Sequence, residues 1–505
     1  MDERLERRKL EFKSSLDTND SRRKREDESF SLRKKNRDEQ YAKRRFQSDQ
    51  AGTPVNPFSQ DTDDTVLARC VQQLTSNDVD AKLKAVVSLR EMTCREYQPP
   101  IGKIIASGCV PLVVQTLQIP NEKIHYEATW FFTNMATGET QHVQVVVASG
   151  CVPYFFHMLQ TQKEEYVNQA AWALGNIAGD CIPFRDQLLA AGALHLLLPY
   201  CRPQVNVTLL RTIVWTISNM FRGKPHVPVD FVRMALPPLT QVLTVCLDQE
   251  VLTDICWAIS YASDEEKNEG RIQAVIAAGA VPKLVELLES KHPSIQTPAL
   301  RAIGNVVTGD DLETQVALSN QVVPRLVKLL QHEKTNIKRE ACWTLSNIMA
   351  GNCDQIQHVL DANAVPIIIE MIRNAPSIVK LEAAWSISNA CTNGTPAQIR
   401  YLVEQGSVPV MCELLAQQNT KLITLAMEAI HRMLKVGQHS ADERGENNKI
   451  CVFVEQCGGF DKLEHLQQHD HDYIRGLAMR LIAEYWPKAV DEDFFAPREI
   501  DYDSQ

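Results

Sequence analysis

The chain has 505 residues, is 44% hydrophobic and carries a formal net charge of −10, which is apolar material enough for a large core. No run reaches the ~18 apolar residues of a membrane span, and Met1-Asp-Glu-Arg4 leads into no apolar segment of the kind a secretory signal needs. The fourteen cysteines form no Cys-x-x-Cys pair, and several, such as Cys256, Cys342 and Cys391, stand where Ala or Val would suit a helix. This pattern excludes a disulfide or zinc framework and reads as buried thiols in a reducing, intracellular setting.

Residues 1–50 hold 16 Lys+Arg against 12 Asp+Glu, whereas the remainder holds 37 against 51. A basic arm of net +4 therefore precedes an acidic body of net −14, and the arm has an electrostatic partner within its own chain. The imbalance concentrates in 22–45, with 11 basic and 5 acidic residues. With few large apolar side chains the arm cannot offset its chain entropy and is expected to be disordered on its own. Residues 21–45 nevertheless lack Gly and Pro and intersperse Glu with Arg, so a partner surface would convert them to a helix. A linker follows over 51–66, marked by Ala51-Gly-Thr-Pro-Val-Asn-Pro57.

A period then appears. Gly108-Cys-Val-Pro111, Gly150-Cys-Val-Pro153 and Gly192-Ala-Leu194 recur every 42 residues, and the series resumes at Gly279-Ala-Val-Pro282, Gln321-Val-Val-Pro324, Asn363-Ala-Val-Pro366 and Gly406-Ser-Val-Pro409. Gly or Asn closes a helix in the left-handed conformation, and Pro opens the next at its first turn. Amphipathic stretches of helical period follow each turn, as in Pro282–Leu288 and Asn168–Asn176. Helix, turn and helix repeated at 40–47 residues form the armadillo/HEAT signature. About ten units fill 67–486, the terminal ones degenerate as caps, and an acidic tail occupies 487–505.

Within the units one pair recurs: Trp130/Asn134, Trp172/Asn176, Trp215/Asn219, Trp343/Asn347 and Trp385/Asn389, with Trp257/Tyr261 and Arg301/Asn305 between them. Members four apart share a helix face. Leu174 and Ile177 lie on the far side from Trp172, so the aliphatics are the core stripe and Trp and Asn are expected to face outward. Packing between units is the competing explanation for a single Trp, but five Asn in register within helices, where Asn is unfavourable, call for a ligand. An Asn amide can pair with both the N–H and the C=O of an extended peptide. Slots between neighbouring indoles suit an aliphatic stem ending in a cation. Asp180, Asp254, Glu340 and Glu382 flank the ladder and can meet that cation. Tyr261 and Arg301 interrupt it, which leaves two runs, Trp130–Trp215 and Trp343–Trp385, suited to a ligand with two basic clusters.

The strings Trp172-Ala-Leu-Gly-Asn-Ile-Ala-Gly-Asp180, Asp254-Ile-Cys-Trp-Ala-Ile-Ser-Tyr261, Arg301-Ala-Ile-Gly-Asn305 and Trp385-Ser-Ile-Ser-Asn389 resemble the importin-α (karyopherin-α) family, as do the arm motifs Arg22-Arg23-Lys24-Arg25, Arg33-Lys34-Lys35 and Lys43-Arg44-Arg45. The resemblance implies an all-α armadillo-repeat solenoid, wound as a right-handed superhelix. It implies an adaptor, not an enzyme, with no cofactor and no metal, that moves between cytoplasm and nucleus. Mono- and bipartite nuclear localisation signals would bind a major site of Trp130, Asn134, Gln169, Trp172, Asn176, Asp180, Trp215, Asn219 and Asp254. The minor site would comprise Arg301, Asn305, Glu340, Trp343, Asn347, Glu382, Trp385 and Asn389. The ten basic arm residues just named would bind importin-β and otherwise compete in cis for the groove, and the C-terminal repeat would meet the family's export receptor. Two departures stand out: Ser14-Ser-Leu16 replaces a glycine usual in the arm, and Glu428 and Arg432 occupy the ladder positions of the ninth unit.

Other readings fit less well. No phosphate loop, Gly-x-Ser-x-Gly or His-Glu-x-x-His motif supports catalysis, and His465, His469 and His471 read as surface residues. An acidic body opposes nucleic-acid binding. A β-catenin-like scaffold shares the fold but presents a basic groove, the opposite chemistry.

Overall fold

The computed structural model describes residues 62–95, 99–265 and 269–487. The arm, most of the linker and all but the first residue of the acidic tail lie outside the described residues, so the expectations placed on them do too. Among the described residues the chain is helical throughout, without a strand, and no single helix is long and apolar enough to cross a membrane.

One helix of each unit carries the ladder position. In chain order these are α1 (Val79–Thr93), α2 (Glu122–Met135), α3 (Glu164–Asp180), α4 (Val207–Phe221), α5 (Gln249–Ala262), α6 (Pro293–Val306), α7 (Thr335–Met349), α8 (Ser377–Asn393), α9 (Thr420–Arg444) and α10 (Asp472–Tyr485). The chain forms two compact units divided after Lys283. In the first, α1 to α5 pack each on the next, and in the second α6 to α10 do the same. The other helices pack against the ladder helices, as Asp63–Thr75 does on α1 and Val365–Asn374 on α8.

The turns obey the sequence. Gly108, Gly150, Gly192, Gly279 and Gly406 have φ between 75° and 92°, and Gln321 and Asn363 reach 58° and 54°. Only glycine enters that region without a Cβ penalty, so the two non-glycine turns carry a small local strain. Gly458 makes the same turn with φ 64°, in a unit whose signal the absence of a following Pro obscures. Asp78, Asn121, Asn206, Asp248 and Asn419 cap α1, α2, α4, α5 and α9 by accepting backbone N–H bonds in the first turn.

The core stripe is where the pattern places it. Leu174 and Ile177 are fully buried, and so are Cys256 and Cys342. Each such aliphatic contributes roughly 1.5–3 kcal/mol of burial. All fourteen cysteines are free thiols, and burial pushes Cys151, Cys201 and Cys391 up to about 12. The fully buried Arg185 is a structural pin: its guanidinium donates to the carbonyls of Arg222 at 2.8 Å and Pro225 at 2.8 Å, which holds the loop after α4.

Candidate functional site

The five ladder tryptophans that the sequence singles out, Trp130, Trp172, Trp215, Trp343 and Trp385, are half-buried on one face of α2, α3, α4, α7 and α8. Their asparagine companions differ from expectation. Asn134, Asn176, Asn219, Asn347 and Asn389 are only 1–7% exposed, as is Asn305 beside Arg301. They are tucked in instead of projecting outward, and the hydrogen bonds give the reason.

Asn176 Nδ2 donates to the Thr133 carbonyl at 3.0 Å, Asn219 Nδ2 to the Gly175 carbonyl at 3.1 Å, and Asn389 Nδ2 to the Ser346 carbonyl at 2.9 Å. Asn134 Nδ2 donates to Thr93 Oγ1 at 3.2 Å. Each amide thus straps its helix to the ladder helix before it. Packing between repeats is therefore a real duty of these residues, and not only of a single Trp. A primary amide has two N–H donors and an oxygen with two lone pairs, so one strap does not exhaust Asn219 or Asn389. Asn347 Nδ2 is buried with no hydrogen-bond partner among the described residues, an orphan donor of the kind a ligand carbonyl would satisfy.

The residue before each asparagine is small: Thr133, Gly175, Ser218, Gly304, Ser346 and Ser388. A Cβ on Gly175 would fall 2.2 Å from Trp215 Cζ3, and one on Gly304 would fall 2.2 Å from Trp343 Cζ3. The indole of one repeat therefore lies on the backbone of the previous one. The signal for this seat is in the sequence, a small residue immediately before each ladder asparagine.

The slots between indoles also need revision. Trp172 and Trp215 have ring centroids 6.0 Å apart and planes inclined at 51°. A methylene stem sandwiched between two faces needs roughly 7–8 Å, two carbon contacts, so this pair offers a V-shaped notch for a stem to lie in. Trp257 and Tyr261 stack on each other at 5.8 Å and 24°, each 8% exposed. That pair closes the ladder face of α5, as the sequence break anticipates.

Among the flanking acids, Asp180, Asp254 and Glu382 are half-buried at the ladder's edge. Thr140 Oγ1 donates to Asp180 Oδ1 at 3.5 Å. Glu340 does not fit its assigned part: it is 1% exposed and already accepts from Arg301 Nη2 at 3.3 Å, with Arg339 Nη2 at 3.6 Å. It neutralises two arginines of this chain and holds Arg301 in place. Gln169 likewise acts inward, donating from Nε2 to Thr133 Oγ1 at 2.8 Å.

A residue outside the assigned set joins the ladder. The Arg90 guanidinium lies 4.8 Å from the centroid of the Trp130 ring, and its Nε donates to Glu127 Oε2 at 2.6 Å. Burial disfavours the charge, but Glu127 and Cys94 outweigh it, so the guanidinium is held even more firmly cationic than usual. The signal was available: Arg90 stands 40 residues before Trp130, in a unit dismissed as degenerate.

A model of the importin beta binding domain matches residues 8–87, so it spans the arm and continues into α1. Armadillo/beta-catenin-like repeats match 98–137, 140–179, 268–308, 311–350 and 352–392, and an atypical Arm repeat matches 448–498. The chain is 40% identical over 500 residues to importin subunit alpha-3 of Arabidopsis thaliana, covering 97% of this chain and 94% of that protein. It is 44% identical over 484 residues to importin subunit alpha-B of Dictyostelium discoideum, covering 95% and 93%. A crystal structure of an engineered protein superposes with a TM-score of 0.74 at 23% identity, covering 83% of this chain and 98% of that one, a likeness of fold.

Proposed function

The chain belongs to the importin-α family, and from that premise we propose that its two Trp runs are the surfaces that hold basic nuclear localisation signals. It is a nuclear-import adaptor with an importin-β-binding segment and cargo-binding Arm repeats. The major site comprises Trp130, Trp172 and Trp215 with Asn134, Asn176, Asn219, Asp180 and Asp254, and Gln169 supports it from beneath. The minor site comprises Trp343 and Trp385 with Asn305, Asn347, Asn389 and Glu382, while Arg301 is fixed by Glu340. A bipartite signal would engage one run with each basic cluster.

The single observation behind this reading is the register. Half-buried indoles recur at one helix position, fixed by amide straps and edged by carboxylates. Electron-rich faces with an acid nearby select an aliphatic stem carrying a cation, and a strapped amide keeps polar capacity for a ligand backbone. The reading includes no catalytic step.

In the same proposal, residues 22–45 serve as both importin-β ligand and competitor for the groove. The C-terminal repeat meets the family's export receptor, and the protein shuttles between cytoplasm and nucleus. The test is an anisotropy titration of the full chain with a Lys/Arg-rich peptide, a bipartite peptide and an acidic peptide. Basic peptides should bind best and the bipartite one tightest. Preference for the acidic peptide, or undiminished binding by Trp172→Ala with Asn176→Ala, would overturn the assignment.

A further inference from the structure

Both Trp runs begin in the same way. Asn134 reaches back to Thr93 Oγ1 and Cys94 Sγ, at 3.2 and 3.0 Å, as Asn176 reaches back to Thr133. Arg90 on α1 therefore holds the ladder position that Trp130 holds on α2. Arg301 holds that position on α6, ahead of Trp343. Each arginine is bound by a glutamate three residues before the following Trp: Arg90 by Glu127 at 2.6 Å and Arg301 by Glu340 at 3.3 Å. Arg90 is pinned, with a side chain only 14% exposed.

We infer that Arg90 is a specificity-determining residue, a cation built into the chain that caps the first run by covering the face of Trp130 a ligand's Lys or Arg would otherwise take. The inference rests on reading that run as a basic-peptide site. An indole face already bearing a guanidinium gains little from a second cation, because the new charge meets the first. Glu127 offers no compensation, since its charge is spent on Arg90. A ligand residue arriving beyond Trp130 thus finds a neutralised ion pair and no reason to be basic. The basic stretch a ligand needs is limited at that end by the receptor's own side chain.

The experiment uses the full chain, wild type and variants, with a labelled Lys/Arg-rich peptide and two versions extended by a pair of lysines at one end or the other. Wild type should bind all three alike, within about twofold. Arg90→Ala should gain about three- to tenfold for one extended peptide and nothing for the other, while Arg90→Lys stays as indifferent as wild type. The double variant Arg90→Ala with Glu127→Gln separates ring from carboxylate, and the gain should persist there. Thermal melts of each variant establish that the fold is retained. The cap is overturned if Arg90→Ala shows no gain, gains equally at both ends, or loses its gain in the double variant. A wild type that fails to bind the parent peptide overturns the site reading and the cap with it; a wild type that binds it, with no gain in Arg90→Ala, overturns the cap alone.

Discussion

The indole of Trp215 lies directly on Gly175 of the preceding ladder helix, so close that a methyl group on the glycine would fall 2.2 Å from Cζ3. Gly175→Ala must push the ring aside or spread the helices, an overpacking cost of about 1–3 kcal/mol. It should lower the denaturant midpoint and, by displacing Trp215, weaken basic-peptide binding. Gly304→Ala should do the same through Trp343. Wild-type melting and affinity in both variants would contradict this packing account.

The amide straps make a separate prediction. Asn219→Ala removes the bond to the Gly175 carbonyl and should cost roughly 0.5–1.5 kcal/mol, the net worth of one such bond. Asn219→Asp also loses the donor and should be no better. Urea unfolding reads the effect in the absence of ligand. If Asn219 served the ligand alone, the alanine variant would unfold like wild type.

Glu340 should behave as an internal counter-ion. Glu340→Ala removes the carboxylate that Arg301 and Arg339 meet in a buried setting, and breaking such a pair typically costs about 3–5 kcal/mol. The expected result is a large fall in melting temperature before any peptide is added. A variant as stable as wild type but deficient in peptide binding would restore Glu340 to the groove edge.

The bidentate contact of Arg211 with Asp248, at 3.0 and 2.5 Å, links α4 to the cap of α5. Burial alone would raise the Asp248 carboxyl, but Arg211 and the amides of Val251 and Glu250 more than offset it and hold it below its ordinary 3.8. A depressed native value means the stabilisation is complete above that ordinary value and fades as pH falls through the native one. Asp248→Asn should therefore be less stable than wild type at neutral pH, with the difference shrinking in acid. A difference that grew on acidification would contradict the assignment.

Removal of residues 1–50 should tighten basic-peptide binding, because a tethered basic segment competes at high effective concentration. Equal affinities of full and shortened chains would rule out competition in cis.

The fold was largely legible because its signals are local. Gly, Gln and Asn turns such as Gly150, Gln321 and Asn363 announce themselves by conformation, and the aliphatic stripe by period. The ladder was legible as a pattern, but its division of labour was not. Whether Asn176 points outward or back to Thr133 depends on the neighbouring repeat, 43 residues away in sequence. The same holds for Glu340, whose partner Arg301 lies 39 residues off. Arg301 is marked by Asn305 four residues on, but Arg90 is followed by Cys94, so neither letter of the pair matches there. Arg90 matches by place.

The straps and glycine seats also set a measure. Trp172 and Trp215 end up 6.0 Å apart, whereas alternate side chains of an extended strand are spaced by about 6.8 Å. A ligand that sets one alternate side chain on each of these two rings thus meets roughly 0.8 Å of misfit across the pair. At this pair the protein is a gauge set slightly finer than the strand laid along it.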